Sequence, residues 1–233
     1  MKLELVGKKK EAGDAVSFIF KSNAPVKWIA GQFLFYTFPH QNPDKRGVTR
    51  YFTNSAAPHE RNIQITTRIS GKRSSFKDKL SKMKVGSIIE ASDPDGDFIV
   101  EDPNKKYVFI SGGIGITPYR SILLDLDHKN LPVNVSLLYA NSDNNFVFKD
   151  ELESLTAKHP NFRITYFGSP RHIEKKDIQK AIDKLSAISG KPIIYVSGPE
   201  PMVEAFEKLL KVDMELPEKR LKLDFFPGYD PIR

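Results

Sequence analysis

The chain changes its hydrophobic rhythm at Asp102-Pro103, and no single fold class accommodates both sides of that change. Before it, short runs rich in aromatic and β-branched residues alternate with turn residues. Residues 15–20 (AVSFIF), 32–38 (QFLFYTF), 62–69 (NIQITTRI), 87–91 (SIIEA) and 97–100 (DFIV) each read as a strand. Gly13-Asp14, Asn23-Ala24-Pro25, Asn42-Pro43 and Asp93-Pro94-Asp95-Gly96 separate them. Many short strands joined by tight turns predict an antiparallel barrel. One stretch, residues 74–83, sets Phe76, Leu80 and Met83 at i, i+4 and i+7, the face of a short helix. After Pro103 the chain alternates strand and helix. Strands are expected at 106–110, 133–139, 162–167, 192–196 and 221–225, with helices near 117–127, 146–158, 175–185 and 200–210. That alternation predicts βαβ units and a parallel sheet. The expected fold is all-β plus α/β: an antiparallel β-barrel over residues 1–103, then a doubly wound parallel α/β domain over 104–233.

The length, 233 residues, suits one large domain or two compact ones. No apolar run approaches the roughly 20 residues that cross a bilayer, so no transmembrane segment is expected. Met1-Lys2-Leu3-Glu4-Leu5 lacks the apolar core of a signal peptide, and a cytoplasmic location is the expectation. The absence of cysteine excludes disulfides, thiolate catalysis and cysteine-held metal or iron–sulfur centres. The five histidines are scattered and no H-E-x-x-H occurs, so no metal site is expected. Redox chemistry would then need an organic cofactor. The net charge of +7 favours polyanions. Its cations are dispersed over Lys8-Lys9-Lys10, Lys72-Arg73 and Lys77, Lys79, Lys82 and Lys84, without a nucleic-acid recognition motif. Each cluster also reads as an ordinary solvated surface.

Four short segments carry chemistry. Ser111-Gly112-Gly113-Ile114-Gly115-Ile116-Thr117-Pro118 joins the first buried strand of the second half to its helix. Glycines allow close backbone approach. Thr117 reads as the N-cap and Pro118 as the first helical residue, so the loop offers free N–H groups to a phosphate. A glycine-rich turn without a ligand is the plain alternative. Ser197-Gly198-Pro199-Glu200-Pro201-Met202 follows another parallel strand at the same end of the sheet, where dinucleotides bind. Arg50-Tyr51-Phe52-Thr53 gathers a cation, two aromatics and a hydroxyl on one strand. Arg50 and Phe52 face one way, Tyr51 and Thr53 the other. Gly71-Lys72-Arg73-Ser74 opens the short helix, with Ser74 or Ser75 as cap, and is a second place suited to phosphate.

In this order, R-x-[YF]-[ST], G-K-x-S, G-G-x-G-x-T-P and G-P-x-x-M resemble the ferredoxin–NADP reductase superfamily of flavoenzymes across essentially the whole chain. The resemblance implies a flavin-binding barrel followed by a nicotinamide-nucleotide-binding α/β domain. It implies that Arg50 binds the flavin pyrophosphate, that Tyr51 and Phe52 flank the ring and ribityl chain, and that Thr53 lies near the flavin N5. Thr66, Thr67 and Arg68 would line the flavin. Gly71, Lys72, Arg73, Ser74 and Ser75 would hold its phosphates. Gly112, Gly113, Gly115, Thr117 and Pro118 would receive the nicotinamide nucleotide, with Gly198, Pro199 and Met202 as the opposite wall. The tail from Asp224 to Tyr229 resembles the acid–Phe–x–x–Gly–Tyr ending of one branch, which brings Phe225 to the nicotinamide stacking position and Tyr229 to the cofactor. Thr53, Thr117, Asp224 and Phe225 would position the reacting rings. Two departures stand out: Phe52 replaces the motif tyrosine, and Ser197 replaces a cysteine that many members carry.

The implied reaction is hydride transfer between NADPH or NADH and a flavin, FAD before FMN, which serves as the electron store. Electrons would pass to a separate, acidic carrier such as ferredoxin or flavodoxin. The alternative is a non-autonomous electron-transfer or regulatory subunit of the same fold. A monomer is expected. The reading leans to NADPH because Ser169 matches the family's 2′-phosphate serine. The arginine comes one residue late as Arg171, however, and Asp143 after the preceding strand would favour a ribose hydroxyl.

Overall fold

A computed structural model of the protein describes residues 1–69, 71, 73–186 and 190–226. Its first half contains β1 (Lys2–Lys10), β2 (Ala15–Ser22), β3 (Phe33–Thr37), β4 (Thr49–Thr53), β5 (Ile63–Arg68), α1 (Ser75–Lys82) and β6 (Ile88–Ala91). The strands form one antiparallel sheet in the order β4-β3-β6-β1-β2-β5. The sheet curls on itself: leaving β4, Ser55 donates its N–H to the Gln64 carbonyl of β5, the opposite edge (3.0 Å). Leu3, Leu5, Phe18, Phe20, Leu34, Tyr36, Ile63 and Ile65 fill the interior. Helix α1 closes one end. Ser74 is its N-cap, accepting from the Lys77 N–H (3.2 Å), and Phe76 and Leu80 are buried. Residues 97–100 were expected as a strand and are not one. Phe98 instead packs against Tyr119 and Tyr195, and the Tyr195 hydroxyl donates to the Ile99 carbonyl (2.7 Å), so this segment belongs to the core of the second half.

The second half runs β7 (Tyr107–Gly112), α2 (Ile116–His128), β8 (Val135–Asn141), α3 (Lys149–Lys158), β9 (Arg163–Gly168), α4 (Lys175–Ser186), β10 (Ile193–Pro199), α5 (Glu200–Lys208) and β11 (Leu221–Phe226). All five strands are parallel, ordered β11-β10-β7-β8-β9. Every residue of central β7 is buried, as its uninterrupted apolar run requires. Alternate residues of the sheet face opposite layers. Tyr107, Phe109, Leu137 and Tyr139 meet α2 and α3, while Val108, Ile110, Leu138 and Phe167 meet α4 and α5. Helix α3 begins three residues later than expected, because Phe146, Val147 and Phe148 are drawn into the core.

The two halves are joined by polar contacts. Buried Arg120 of α2 donates to the Ser55 carbonyl (2.7 Å) and to Glu60 (2.9 and 3.1 Å), and Ser121 donates to the Ala56 carbonyl (2.7 Å). Among the described residues no helix is long and apolar enough to cross a membrane.

Candidate active site

Strands β7 and β10 are neighbours, and the chain leaves them for helices on opposite faces. This is the topological switch point where open α/β sheets bind ligands. The two glycine loops meet there. A Cβ on Gly115 would lie 2.2 Å from the Ser197 carbonyl oxygen, one on Gly112 would lie 2.3 Å from Met202 Sδ, and one on Gly198 would lie 2.6 Å from Met202 Cε. Gly115 is therefore required by the packing of loop on loop, whereas at Gly112 and Gly198 the near neighbour is the flexible end of Met202. Gly113 differs: its φ is +53° and a Cβ would meet only Asn141 Oδ1, at 3.6 Å. It leaves backbone open to a ligand. Helix α2 starts at Ile116 with Gly115 as N-cap. Thr117 and Pro118 are thus its second and third residues, and the Thr117 hydroxyl donates to the Ile114 carbonyl (3.2 Å), holding the turn.

Beside these loops the last strand bridges the halves. Tyr51 of β4 donates its hydroxyl to the Phe225 carbonyl (2.8 Å). The Phe225 ring is 45% exposed, so a large aromatic face stands open next to the loops. The neighbouring Asp224 accepts from the Ser197 hydroxyl (2.9 Å). Burial pushes the Asp224 carboxyl up to about 6, although the bond from Ser197 pulls the other way. Burial, with the nearby Asp224 and Glu200 charges, likewise raises Tyr51 to about 12. Thr53, at the end of β4, is buried. Ser197, at the position where the resembled motif often carries a cysteine, thus uses its hydroxyl to hold Asp224. Its partnership with Asp224 joins residues 27 positions apart, and only the parallel pairing of β10 and β11 reveals it.

The first-half motif residues divide. Arg50 is 6% exposed and lies on one face of β4 with Phe52, both against Phe76 of α1. Its Nη1 donates to the carbonyls of Arg46, Gly47 and Thr49 (2.7, 3.0 and 2.7 Å), and its Nη2 donates to Asp44 (2.5 Å). Asp44 also accepts from the Ser75 N–H and hydroxyl (2.9 and 3.0 Å) and from the Arg46 N–H (2.9 Å). Burial works to raise this carboxyl, but the hydrogen bonds and the Arg50 charge outweigh it and bring it down to about 2. Sequence reading missed Asp44. Its place beside Asn42-Pro43 marks a turn and gives no sign that its carboxylate reaches a helix start 31 residues on.

Phe52 packs toward the barrel interior with Tyr36 and Phe76, whereas Tyr51 lies among Phe33 and Phe35 on the other face. Thr66 was read as lining a flavin. In the structure it is buried in a hydroxyl network with Ser17 and Ser55 (both 2.8 Å) and Gln64 (3.2 Å). Thr67 is buried on the alternate face of β5. Arg68 pairs with Asp14 and donates to Asn141 (2.9 Å), linking β5 to the end of β8. Gly71 has φ +69° with open space around it, and Arg73 donates to the Ile69 carbonyl (2.8 Å). Lys72 and Tyr229 lie outside the described residues.

At the far end of the crevice Ser169 is exposed. Arg171 lies over the Phe167 ring (4.7 Å) and donates to Asp177 (3.0 Å). Asp143 accepts from the Asn141 amide (2.9 Å) and the Asn145 N–H (2.8 Å), which shapes its own loop. A separate groove of about 950 Å³ runs along the free edge of β9, lined by Tyr166, Lys180 and Lys184 among others. It includes no residue of either glycine loop.

A barrel-type antiparallel sheet followed by a doubly wound parallel sheet, with the two glycine loops meeting beside β11, makes up a barrel-plus-α/β fold. Residues 109–208 match the family model of the oxidoreductase NAD-binding domain. The chain is 28% identical over 193 residues to a flavohemoprotein of Burkholderia sp. (strain TH2), covering 78% of this chain and 48% of that protein. It is 25% identical over 207 residues to the toluate 1,2-dioxygenase electron transfer component of Pseudomonas putida, covering 86% and 60%. The flavohem-like FAD/NAD-binding domain of nitric oxide dioxygenase from Vibrio cholerae O1 biovar El Tor superposes with a TM-score of 0.81 at 20% identity, over 97% of this chain and 98% of that one. The chain thus shares the fold of these flavin- and nucleotide-binding reductases and is similar to them in sequence. It spans about half the length of the flavohemoprotein it matches.

Proposed function

We propose that the chain is a flavin-dependent NAD(P)H oxidoreductase, with residues 1–103 binding FAD and residues 104–233 binding the nicotinamide nucleotide. The observation that carries this reading is the closure of the crevice. A part-buried Ser197–Asp224 pair and an exposed Phe225 face stand beside the glycine loops, tied to the barrel by the Tyr51 hydroxyl. A flavin fits the first half on a specific ground. Arg50 Nε is buried and, among the described residues, has no partner, an orphaned donor on a side chain packed against Phe76 in the first turn of α1. Bound there, a flavin supplies a two-electron store that accepts hydride and releases electrons one at a time.

The protein's part is alignment. Gly113 would expose backbone to the nucleotide, and the exposed Phe225 ring beside the glycine loops would be the aromatic face that the nicotinamide meets or displaces. Asp224 is ionised at neutral pH, accepts the hydrogen bond of the Ser197 hydroxyl, and leaves the serine oxygen lone pairs for a donor such as a carboxamide. The electrons then go to a separate carrier, with ferredoxin or flavodoxin the proposed type. The relatives' names support that role, one being an electron transfer component. Protein reconstituted with FAD and desalted should keep absorption bands near about 370 and 450 nm and lose them on adding NADPH or NADH. A colourless product sinks the proposal. A yellow product that turns over no ferricyanide identifies instead a subunit that works only inside a larger complex.

Nucleotide choice gives a second test. The Arg171–Asp177 pair is exposed, and such pairs are worth at most about 1 kcal/mol, so a ribose 2′-phosphate can draw the guanidinium away. Arg171→Ala should raise KM for NADPH about tenfold, about 1.4 kcal/mol, and leave NADH nearly unchanged. Equal losses with both nucleotides would make Arg171 a surface turn residue.

A further inference from the structure

Strand β9 is an edge of the parallel sheet, with β8 on one side and, among the described residues, no strand on the other. Its residues, Arg163 to Gly168, include one charge and no proline. Such an edge presents a row of N–H and C=O groups free to pair with another chain, and it lacks the prolines or repeated charges that usually block pairing. The groove of about 950 Å³ follows this edge, and a second hollow of about 360 Å³ continues it past Pro160 and Asn161. Its walls are helices on opposite faces of the sheet, α3 with Glu153 and Thr156 and α4 with Lys180 and Lys184. The edge is therefore recessed between helices. The space beside it is where a sixth strand would lie, about 4.8 Å from β9.

The two walls differ in charge. Alternation along β9 puts Arg163 and Thr165 on the face of Phe167, which packs with Ile178 and Ala181 of α4. On that face Arg163, Lys180 and Lys184 are exposed, and among the described residues their side chains make no hydrogen bond or ion pair. Asp177 of the same wall is held by Arg171 (3.0 Å), and Asp183, outside the groove, accepts from Gln179 (2.8 Å). On the α3 face Glu153 is paired with Lys149 (3.8 Å), so charge there is balanced.

We propose that β9 takes up an extended segment of a partner protein as a sixth strand, and that this segment carries acidic residues at alternate positions, facing α4. Main-chain hydrogen bonds supply affinity in strand addition, and the side chains on alternate positions supply selectivity. Carboxylates on one face of the incoming strand meet Arg163, Lys180 and Lys184, while its other face meets the balanced α3 wall. A second copy of this chain suits the edge poorly. It would bring its own Arg163, Lys180 and Lys184 to the same place, and like charges opposed across paired strands repel. The groove includes no residue of either glycine loop, so the docking stands independently of the flavoprotein reading.

Binding of labelled eight-residue peptides to the full chain, read by fluorescence anisotropy, tests the proposal. A peptide alternating Glu with Thr should bind saturably and weaken about tenfold or more when salt is raised from 50 to 500 mM. The same peptide methylated on every backbone nitrogen, and a peptide of equal composition with its Glu and Thr in separate blocks, should each bind about tenfold more weakly. K180E/K184E should lose about tenfold in affinity for the alternating peptide. Its circular dichroism should match that of the wild type, and the methylated and block peptides test the idea without any variant. Hydrogen exchange at the β9 amides should slow when the alternating peptide is bound. No saturable binding, equal binding of the methylated or block peptide, or full affinity in K180E/K184E overturns the proposal. So does equal binding of a single-stranded oligonucleotide of the same charge, which would make the groove a general polyanion surface. A concentration-dependent dimer that protects the β9 amides without peptide would assign the edge to a second copy and overturn it too.

Discussion

Asp224→Asn is expected to slow flavin reduction by NAD(P)H about a hundredfold and, at neutral pH, to make the fold more stable. The two effects share one cause. In the folded protein the carboxyl is pushed up to about 6 by burial, against roughly 3.9 in an unfolded chain. The native state therefore binds more protons between pH 4 and 6, and stability falls as pH rises through that window. Above pH 6 the full cost is present, up to about 3 kcal/mol. An amide does not incur it, so the variant should gain about 1–2 kcal/mol at pH 7 and nothing below pH 4. The rate falls because an amide presents either oxygen or N–H to Ser197. It no longer compels the serine to donate, and a misplacement of about 1 Å at reacting rings can cost a hundredfold. The wild-type rate should likewise decline as pH is lowered through 6. Stopped-flow reduction followed at the flavin band, with urea unfolding at pH 4 and pH 7, measures both. An unchanged rate would reduce the pair to a structural contact. An unchanged stability would mean that water reaches the carboxylate.

The fold was legible where burial imposes a period. The alternation after Pro103 gave all five parallel strands, most clearly central β7, whose residues are all buried between two layers. The barrel was read less completely. Strand β1 escaped notice because only Leu3 and Leu5 are buried, and its second half is Gly7-Lys8-Lys9-Lys10 on the outside. Residues 97–100 looked like a strand, but Phe98 is taken by rings of the other half, a contact that no local pattern announces. The site followed the same division. Glycine loops and the R-x-[YF]-[ST] strand were visible as words in the sequence. What each residue does there depended on long-range partners. Gly115 serves the packing of loop on loop, Thr66 faces a hydroxyl network, and Arg50 serves Asp44 and three carbonyls. The partners that matter most, Ser197 with Asp224 and Asp44 with Ser75, meet only after strands pair and a loop folds back.

The proposed hydride transfer needs the two halves in fixed register, and Arg120 makes the largest set of polar contacts between them described above. Its guanidinium is 7% exposed and donates to Glu60 of the barrel side, to Glu151 of α3 (2.6 and 2.9 Å) and to the Ser55 carbonyl. Arg120→Met keeps much of the apolar stem but leaves two carboxylates and a carbonyl without their donor. Breaking a buried pair from one side costs about 3–5 kcal/mol, and the lower end applies because Glu60 and Glu151 are 24% and 37% exposed. For a chain of this size about 3 kcal/mol corresponds to a Tm lower by roughly 6–12 °C. The pH dependence separates this cause from simple loss of packing. Burial works to raise Glu60, but the hydrogen bonds and charge of Arg120 outweigh it and hold the carboxyl low. In the wild-type protein that contribution is present above the unfolded carboxylate range and is lost as pH falls. In Arg120→Met that support is gone, and only the Ala57 N–H bond and the nearby His59 oppose the burial that disfavours ionised Glu60. The deficit should therefore be largest at pH 7 and shrink toward pH 4, and adding Glu60→Gln should recover part of it at pH 7 only. A Tm deficit equal at both pH values would assign the loss to packing against Phe148, over which the guanidinium lies at 5.0 Å. A deficit under about 2 °C would mean that Ser121 and Arg68 hold the halves together without it.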